Sequence, residues 1–273
     1  DMCGNWSCAD VDKVVTLYEA MKKRGVDINY NDGYDLETNQ IVNLEQTLSE
    51  ACEADVVIVA MGERALESGE MRSKGDISIP SEQQRLVSEL VKTGKPVVVL
   101  LMCGRPVIFN EVRQNASAIL CTWWLGSEAG NAICNVLWGN YNPSGKLPMT
   151  FPVRYEDAAS SENFPLIGDE EALDIYREFY TGPKGTDRPN IDFTRYEEGI
   201  YVGYRYFDKY RVDVSYPFGF GLSYTGFTYS KPRYLRTEQG YEFSCTVTNT
   251  GKIPGKEVVQ LSLIHISEPT RLR

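Results

Sequence analysis

Three glutamates, Glu63, Glu67 and Glu70, fall in one short stretch together with Arg64, Arg72, Lys74 and Asp76. Carboxyl groups set among cations are either a site for proton transfer or a group of solvated loop charges. Their place in the chain bears on the choice. The apolar, β-branched run Val56 to Met61, bounded by Asp55 and Gly62, predicts a strand buried on both faces of a sheet. Beyond Pro80, Ser81 with Gln84 predicts a capping box ahead of a helix whose inward positions are Leu86, Val87, Leu90 and Val91. The carboxylates therefore sit in a loop leaving the carboxyl end of a buried strand, where open α/β sheets hold their ligands. The loop is also longer than the about two to six residues usual for a strand-to-helix connection, and excess of that kind is more often functional than idle.

Composition narrows the ligand. The chain has 273 residues, enough for two domains or for one and part of another, and it is 42% hydrophobic and 24% charged, which is ordinary for a soluble globular protein. A net charge of -10 argues against nucleic acid or an anionic membrane surface as partner and favours an uncharged ligand. Seventeen tyrosines and four tryptophans offer rings suited to sugar faces, although most such rings belong to the core or the half-buried surface. Seven cysteines without CxxC spacing read as buried free thiols, Cys103 and Cys121 in apolar runs above all; a Cys3–Cys8 bridge has little support. No apolar run approaches the about eighteen residues of a membrane span. The sequence has neither an initiating Met nor a leader pattern, so it reads as beginning within a longer chain or as trimmed.

The surrounding elements follow from periodicity and punctuation. Asp10 predicts the cap of a helix from about Val11 to Arg24, ended by Gly25; Val26 to Tyr30 predicts a short strand, and Leu44 to Ala54 a second helix. After the helix of 81–93 come a strand at Val97 to Met102, a helix from Pro106 to about Asn115, a strand at Ala118 to Thr122 and a helix from Glu128 to Trp138. Three successive strand-then-helix units predict a mainly parallel sheet layered between helices, an α/β sandwich. The predicted α/β domain spans 1–160, and an aromatic-rich excursion over 161–226 packs on it. Alternating segments at Phe227 to Leu235, Tyr241 to Asn249 and Lys256 to about Gln260 then predict the beginning of an antiparallel β-sandwich over 227–260, too short to close two sheets.

Residues 261–273 have a separate explanation. The eleven residues Leu261 to Arg271, LSLIHISEPTR, resemble the translation of a sequencing-library adapter, and the tail is set aside from fold reasoning as non-native. His265, the one histidine, goes with it. Catalytic triads and His-ligated metals are then excluded, and no metal or cofactor is implied.

Several words of the sequence resemble the carboxyl-terminal part of glycoside hydrolase family 3, the β-glucosidase and β-xylosidase family. They are ADVVIVAMGE, the SGE and SKGDISIP words of the loop, GKPVVVLLMCGRP, WWLGSEAGNAICNVLWGNYNPSGKLPMTFP, EGIYVGYRYFDK and YPFGFGLSYTGFTYS, in order across about residues 50–230. The resemblance implies an α/β sandwich that follows an amino-terminal barrel and precedes a fibronectin-III-like domain. It also implies a retaining, exo-acting β-glycosidase in which the barrel carries an Asp nucleophile and the sandwich loop supplies a Glu acid/base. That chemistry needs two carboxyls about 5 Å apart, one attacking the anomeric carbon and the other protonating the leaving oxygen and then activating water. No residue of this chain stands for the barrel nucleophile, so the chain by itself is expected to be inactive.

By the same resemblance the acid/base is Glu70, ten residues before Pro80 in the SGE word. Glu67 is the second candidate, and Glu63, directly after the strand, reads as structural, bonding the loop base or an arginine. Arg72, Lys74 and Asp76 either position the acid/base or form a surface ion cluster worth little. Trp123 and Trp124 either line the site entrance or pack in the core. The implied partners are a β-glucoside or oligosaccharide substrate and the barrel, and the implied location is the periplasm or medium. Gly219, Gly221 and Gly226 lack the spacing and the preceding strand of a dinucleotide loop. Asn5 and Asn115 head N-x-S triplets, which carry little specificity. The rival from another class is a non-catalytic carbohydrate-binding or interaction module.

Overall fold

The computed structural model describes residues 2–4, 7, 10–69, 74–159, 161 and 198–261. In chain order its helices and strands are α1 (Leu17–Lys23), β1 (Tyr34–Asp35), β2 (Gln40–Ile41), α2 (Leu44–Glu53), β3 (Val57–Gly62), α3 (Ser81–Val91), β4 (Val97–Met102), α4 (Asn110–Asn115), β5 (Ala118–Cys121), α5 (Ala129–Leu137), β6 (Phe151–Pro152), α6 (Tyr204–Tyr210), β7 (Val214–Tyr216), β8 (Phe227–Tyr229), β9 (Arg233–Thr237), β10 (Gly240–Ser244) and β11 (Val247–Asn249). The chain divides into two compact units, one of Asp1–Ile133 with Thr150–Tyr216 and the other of Cys134–Met149 with Pro217–Arg273.

The first unit is the predicted α/β layer. Its sheet has the order β3-β4-β5, all parallel, with Val57 opposite Val97 and Val98 opposite Ala118. β4 lies between the other two strands, and its run VVVLLM is buried almost throughout, as a central parallel strand requires. Leu86, Val87 and Leu90 of α3, the helix that contacts β4, are buried, as are Val112 of α4 and Ile133 of α5. Each such side chain withdrawn from water contributes about 1.5–3 kcal/mol, so this layer is the rigid support from which the loops depart. β3 differs from the expectation of burial on both faces. As the edge strand it has Ala60 exposed and Val57, Ile58 and Val59 half-buried, and only its last two residues are buried. β6 and β7 add a two-stranded antiparallel ribbon around an aromatic cluster in which Phe109 and Phe151 meet edge to face at 6.2 Å.

Local chemistry moved several predicted boundaries. The first helix starts at Leu17, not Val11, because Thr16 and Glu19 form a reciprocal capping box: Thr16 Oγ1 accepts the Glu19 N–H at 3.2 Å and Glu19 Oε2 accepts the Thr16 N–H at 2.9 Å. Asp10 instead precedes a single 3₁₀ turn, Val11–Lys13. No strand forms at Val26 to Tyr30; Asn31 Oδ1 accepts the Gly33 N–H at 2.7 Å, and the nearby pairing is the small β1–β2 hairpin. Ser81 does not cap α3, since Pro80 occupies the cap position, and Gln84 Nε2 donates to Ile79 O at 2.9 Å. α4 begins at Asn110 because the chain before it is extended and bridges in parallel from Ile108 to Ser78.

The second unit consists of two antiparallel pairs, β8 with β11 and β9 with β10. The strand expected over Phe227 to Leu235 is interrupted at Lys231 and Pro232, and Lys256 to Gln260 forms no strand. Asn142 ties the unit together: its Oδ1 accepts the Tyr224 N–H at 2.8 Å and its Nδ2 donates to Pro254 O at 3.1 Å. The tail from 262 onward, His265 included, and residues 162–197 of the excursion lie outside the described residues.

The exit of β3 depends on one glycine. Gly62 has φ +146°, and a Cβ there would stand 1.8 Å from Met102 O, inside the neighbouring strand. Gly62→Ala is expected to cost about 3 kcal/mol or more. Urea denaturation measures this, and a variant as stable as the parent would show that β3 and β4 do not approach this closely.

Candidate active site

Gly62 ends β3 in a defined direction because both of its backbone polar groups are held by one side chain. Its N–H donates to Gln83 Oε1 at 2.9 Å and its carbonyl accepts from Gln83 Nε2 at 3.1 Å, so the first turn of α3 clamps the strand end. The next residue, Glu63, still donates its N–H to Met102 O at 2.9 Å. Its side chain therefore turns inward and is only 1% exposed. A carboxylate withdrawn from water to that degree needs cations. Two arrive from elsewhere in the sequence: Lys74 Nζ lies 3.2 Å and Arg105 Nε 3.3 Å from Glu63 Oε1. The second oxygen, Oε2, is buried with no hydrogen-bond partner among the described residues.

The outgoing limb of the loop is built on that pair. Ala65–Glu67 forms a 3₁₀ turn closed by Glu67 Oε2, which accepts the Arg64 N–H at 2.8 Å. Lys74 Nζ also lies 3.4 Å from Glu67 Oε1, and the Arg105 guanidinium donates to the Glu67 carbonyl. Ser68 is buried against the turn after β4: a Cβ on Gly104 would stand 2.6 Å from Ser68 Oγ and 2.7 Å from the Trp124 ring. The returning limb is equally fixed. Asp76 Oδ1 accepts the Ser78 N–H at 2.8 Å, the Ile79 N–H donates to Ile108 O at 2.9 Å, and the Ile108 N–H donates to Ile77 O at 3.0 Å.

Of the sequence candidates, Glu63, Glu67 and Lys74 come together in one charged cluster at the carboxyl end of the sheet. Glu70 and Arg72 lie outside the described residues. Glu63 is ion-paired with an arginine, Arg105, at 3.3 Å. Glu67 is a poor proton donor in this arrangement. Burial pushes its carboxyl up, but the Arg64 N–H and the charges of Lys74 and Arg64 outweigh that and hold it below the ordinary glutamate value. Both tryptophans have packing partners, Trp123 with the Phe151 ring at 5.9 Å and Trp124 over Gly104. Trp123 also has φ +53°, a conformation rare for a side chain of its size.

Sequence reasoning did not single out Arg105, Gln83 or Gly104. The available signal was the GRP word directly after the buried run of β4, which puts an arginine at the same sheet end as the loop. Cys103 beside it is buried. The Cys3–Cys8 pairing cannot be placed, because Cys8 lies outside the described residues. Among the described residues no cluster of three or more His, Cys, Asp or Glu could hold a metal ion, and no helix is long and apolar enough to cross a membrane.

Comparison with known proteins adds the family context. Residues 1–224 match the model of the glycosyl hydrolase family 3 C-terminal domain. Among curated proteins the chain is 35% identical to a periplasmic beta-glucosidase of Salmonella typhimurium, with 98% of this chain and 35% of that protein covered. It is 33% identical to a beta-xylosidase of Formosa agariphila, with 90% and 31% covered. The chain thus spans about a third of the length of these relatives. Among solved structures it superposes on a family 3 beta-glucosidase of Bifidobacterium adolescentis with a TM-score of 0.78 at 29% identity, covering 95% of this chain and 36% of that one. Beta-glucosidase 3B of Thermotoga neapolitana, solved with glucose, gives a TM-score of 0.70 at 28% identity, covering 95% and 38%.

The lowered pKa of Glu67 has a measurable consequence. A group whose folded value lies below its unfolded one, about pH 4.3, contributes stability that is fully present above the unfolded value and is lost as the pH falls through the folded one. Glu67→Gln is therefore expected to destabilise the chain at neutral pH, with the gap to the parent narrowing as the pH falls below about 4. Urea denaturation over a pH series measures it, and a gap that does not change with pH would remove Glu67 from the ion cluster.

Proposed function

The chain belongs to glycoside hydrolase family 3 through its C-terminal domain, and on that premise we propose that it is the acid/base-bearing part of a retaining, exo-acting β-glycosidase, most simply a β-glucosidase. The observation that carries this reading is the family match over residues 1–224 together with a long carboxylate loop at the carboxyl end of β3. The substrate is a terminal β-linked sugar, consistent with relatives named as beta-glucosidase and beta-xylosidase. The nucleophile is an Asp on an amino-terminal barrel. In this reading residues 1–160 are assigned to the α/β sandwich domain, 161–226 to an aromatic-rich excursion, 227–260 to the start of a fibronectin-III-like domain, and 261–273 to a non-native tail. Export to the periplasm or medium fits the periplasmic relative.

Within the loop the acid/base is Glu70. Support comes partly by elimination: Glu63 is sealed from solvent between two cations, and Glu67 is held ionised by its neighbours. A general acid must instead carry its proton at working pH and release it to the leaving oxygen, which calls for a carboxyl with a raised pKa. Glu70 is the remaining glutamate of the loop and stands in the SGE word on which the family resemblance rests. In the first step it would protonate the glycosidic oxygen while the barrel Asp attacks; in the second it would take a proton from water as the glycosyl–enzyme bond is hydrolysed.

With the barrel restored, Glu70→Gln is expected to slow hydrolysis of phenyl β-glucoside by about 10²–10⁴-fold. A 2,4-dinitrophenyl leaving group needs no protonation, so its departure is spared, and added azide should yield the β-glucosyl azide in place of the slow hydrolysis. Steady-state rates and product analysis decide it: a variant of near-normal activity on phenyl β-glucoside would take the acid/base role away from Glu70.

A further inference from the structure

We infer that the free edge of β3 pairs, in the intact protein, with one further parallel strand, an apolar segment supplied by the part of the protein that precedes this chain; this rests on reading the chain as the later portion of a barrel-containing enzyme. β3 ends the three-stranded sheet, with β4 on one side and no strand on the other among the described residues. The Val57 N–H donates to Pro96 O and the Glu63 N–H to Met102 O, both at 2.9 Å, so the odd-numbered residues face β4. By the alternation of a strand, the backbone N–H and C=O groups of Val56, Ile58 and Ala60 point to the open side. At Gly62 the same outward pair is held by Gln83, which closes the edge there.

Exposed edges are ordinarily blunted by lysine, proline, a bulge or a very short strand. The run Val56 to Gly62, VVIVAMG, has no charge and no proline, and its register with β4 is continuous. The opposite edge strand, β5, is shorter, at four residues. β3 thus has the composition of a strand with a neighbour on either side, while Val56 stands 47% exposed. A second segment lacks a partner in the same way. Val26 to Tyr30 alternates half-buried Val26 and Ile28 with exposed Asp27 and Asn29, the pattern of a strand, yet it joins no sheet among the described residues.

The winding of the chain gives the added strand its place. From β3 to β4 to β5 the chain steps one way across the sheet, and right-handed crossovers set α3 and α4 on one face, where they touch. A doubly wound sheet turns the other way at a switch point, and ligands are held in the crevice at the carboxyl ends of the strands there. A strand on the open side of β3 makes β3 one wall of such a crevice. The loop that carries Glu63 and Glu67 then opens into it. The chain spans about a third of the length of its relatives, which leaves ample polypeptide to supply one strand.

Amide hydrogen exchange resolved by residue, on this chain alone and on the barrel-containing enzyme, tests the pairing. In the chain alone Ile58 and Ala60 are expected to exchange about a hundredfold or more faster than Val59, whose N–H faces β4. In the longer enzyme all three should be slow. Ile58 and Ala60 amides that stay fast in the longer enzyme overturn the proposal. Slow exchange at both in the chain alone also overturns it, giving the edge to a second copy if protection rises with protein concentration and to the chain's own residues if it does not. Ala60→Pro, which removes one outward N–H, should lower the urea midpoint of the longer enzyme and shift that of the chain much less, because a strand tolerates proline only on an open edge; equal shifts would contradict the pairing. The premise fails separately: a longer protein inactive on phenyl β-glucoside, with Ile58 and Ala60 protected, keeps the strand and loses the glycosidase reading.

Discussion

A carboxylate buried at the end of a strand is the constraint around which the loop is arranged. Glu63 leaves β3 with its N–H still in the ladder, which turns the side chain into the protein, where an unpaired charge would cost several kcal/mol. The sequence answers with Lys74 and Arg105, eleven and forty-two residues further on, and each brings its own segment to the same point. Because removing one partner of such a pair leaves a stranded charge, the cluster is expected to form as a unit with the sheet end. The absence of a side chain at Gly62 and the two-point clamp of Gln83 are the local conditions that make this exit possible.

The layered fold gives that cluster something rigid to stand on. β4 is packed on both faces, and its carboxyl end supplies Met102 for the Glu63 N–H and, one turn later, Gly104 and Arg105. The returning limb is registered against the segment before α4 by the two Ile108 backbone bonds, so both limbs are referred to the β4–α4 connection. In an open parallel sheet this is the end where ligands are held, and a long loop fixed at both limbs suits a catalytic group that must be reproducibly placed.

Much of the fold was legible because burial writes directly into sequence. The apolar runs at Val97 to Met102 and Ala118 to Cys121, alternating with helical spacing at Leu86, Val87 and Leu90, gave the parallel unit. Boundaries decided by a single hydrogen bond were harder to read. Thr16 with Glu19 caps the first helix where Asp10 was the more obvious choice, and Pro80 displaces Ser81 from the cap of α3. β3 reads as fully buried from composition, yet its place at the edge of the sheet leaves Ala60 exposed, a fact that depends on strand order alone. For the site, the glutamates were visible as a local group, and Glu63 could be separated from the others because it follows the strand at once. Arg105 was not visible, since its role depends on a tertiary contact with a residue forty-two positions away.

The central physical claim is that Glu63 and Lys74 are energetically one unit, and a double-mutant cycle measures it most directly. Urea denaturation of the parent chain, Glu63→Gln, Lys74→Met and the double variant gives the coupling between the two side chains. A coupling of about 2 kcal/mol or more is expected for a pair with one partner fully buried, because each single variant leaves the other charge with one partner fewer, Glu63 with Arg105 and Lys74 with Glu67. A coupling within about 0.5 kcal/mol of zero, as found for exposed pairs, would contradict it and leave the loop without its anchor.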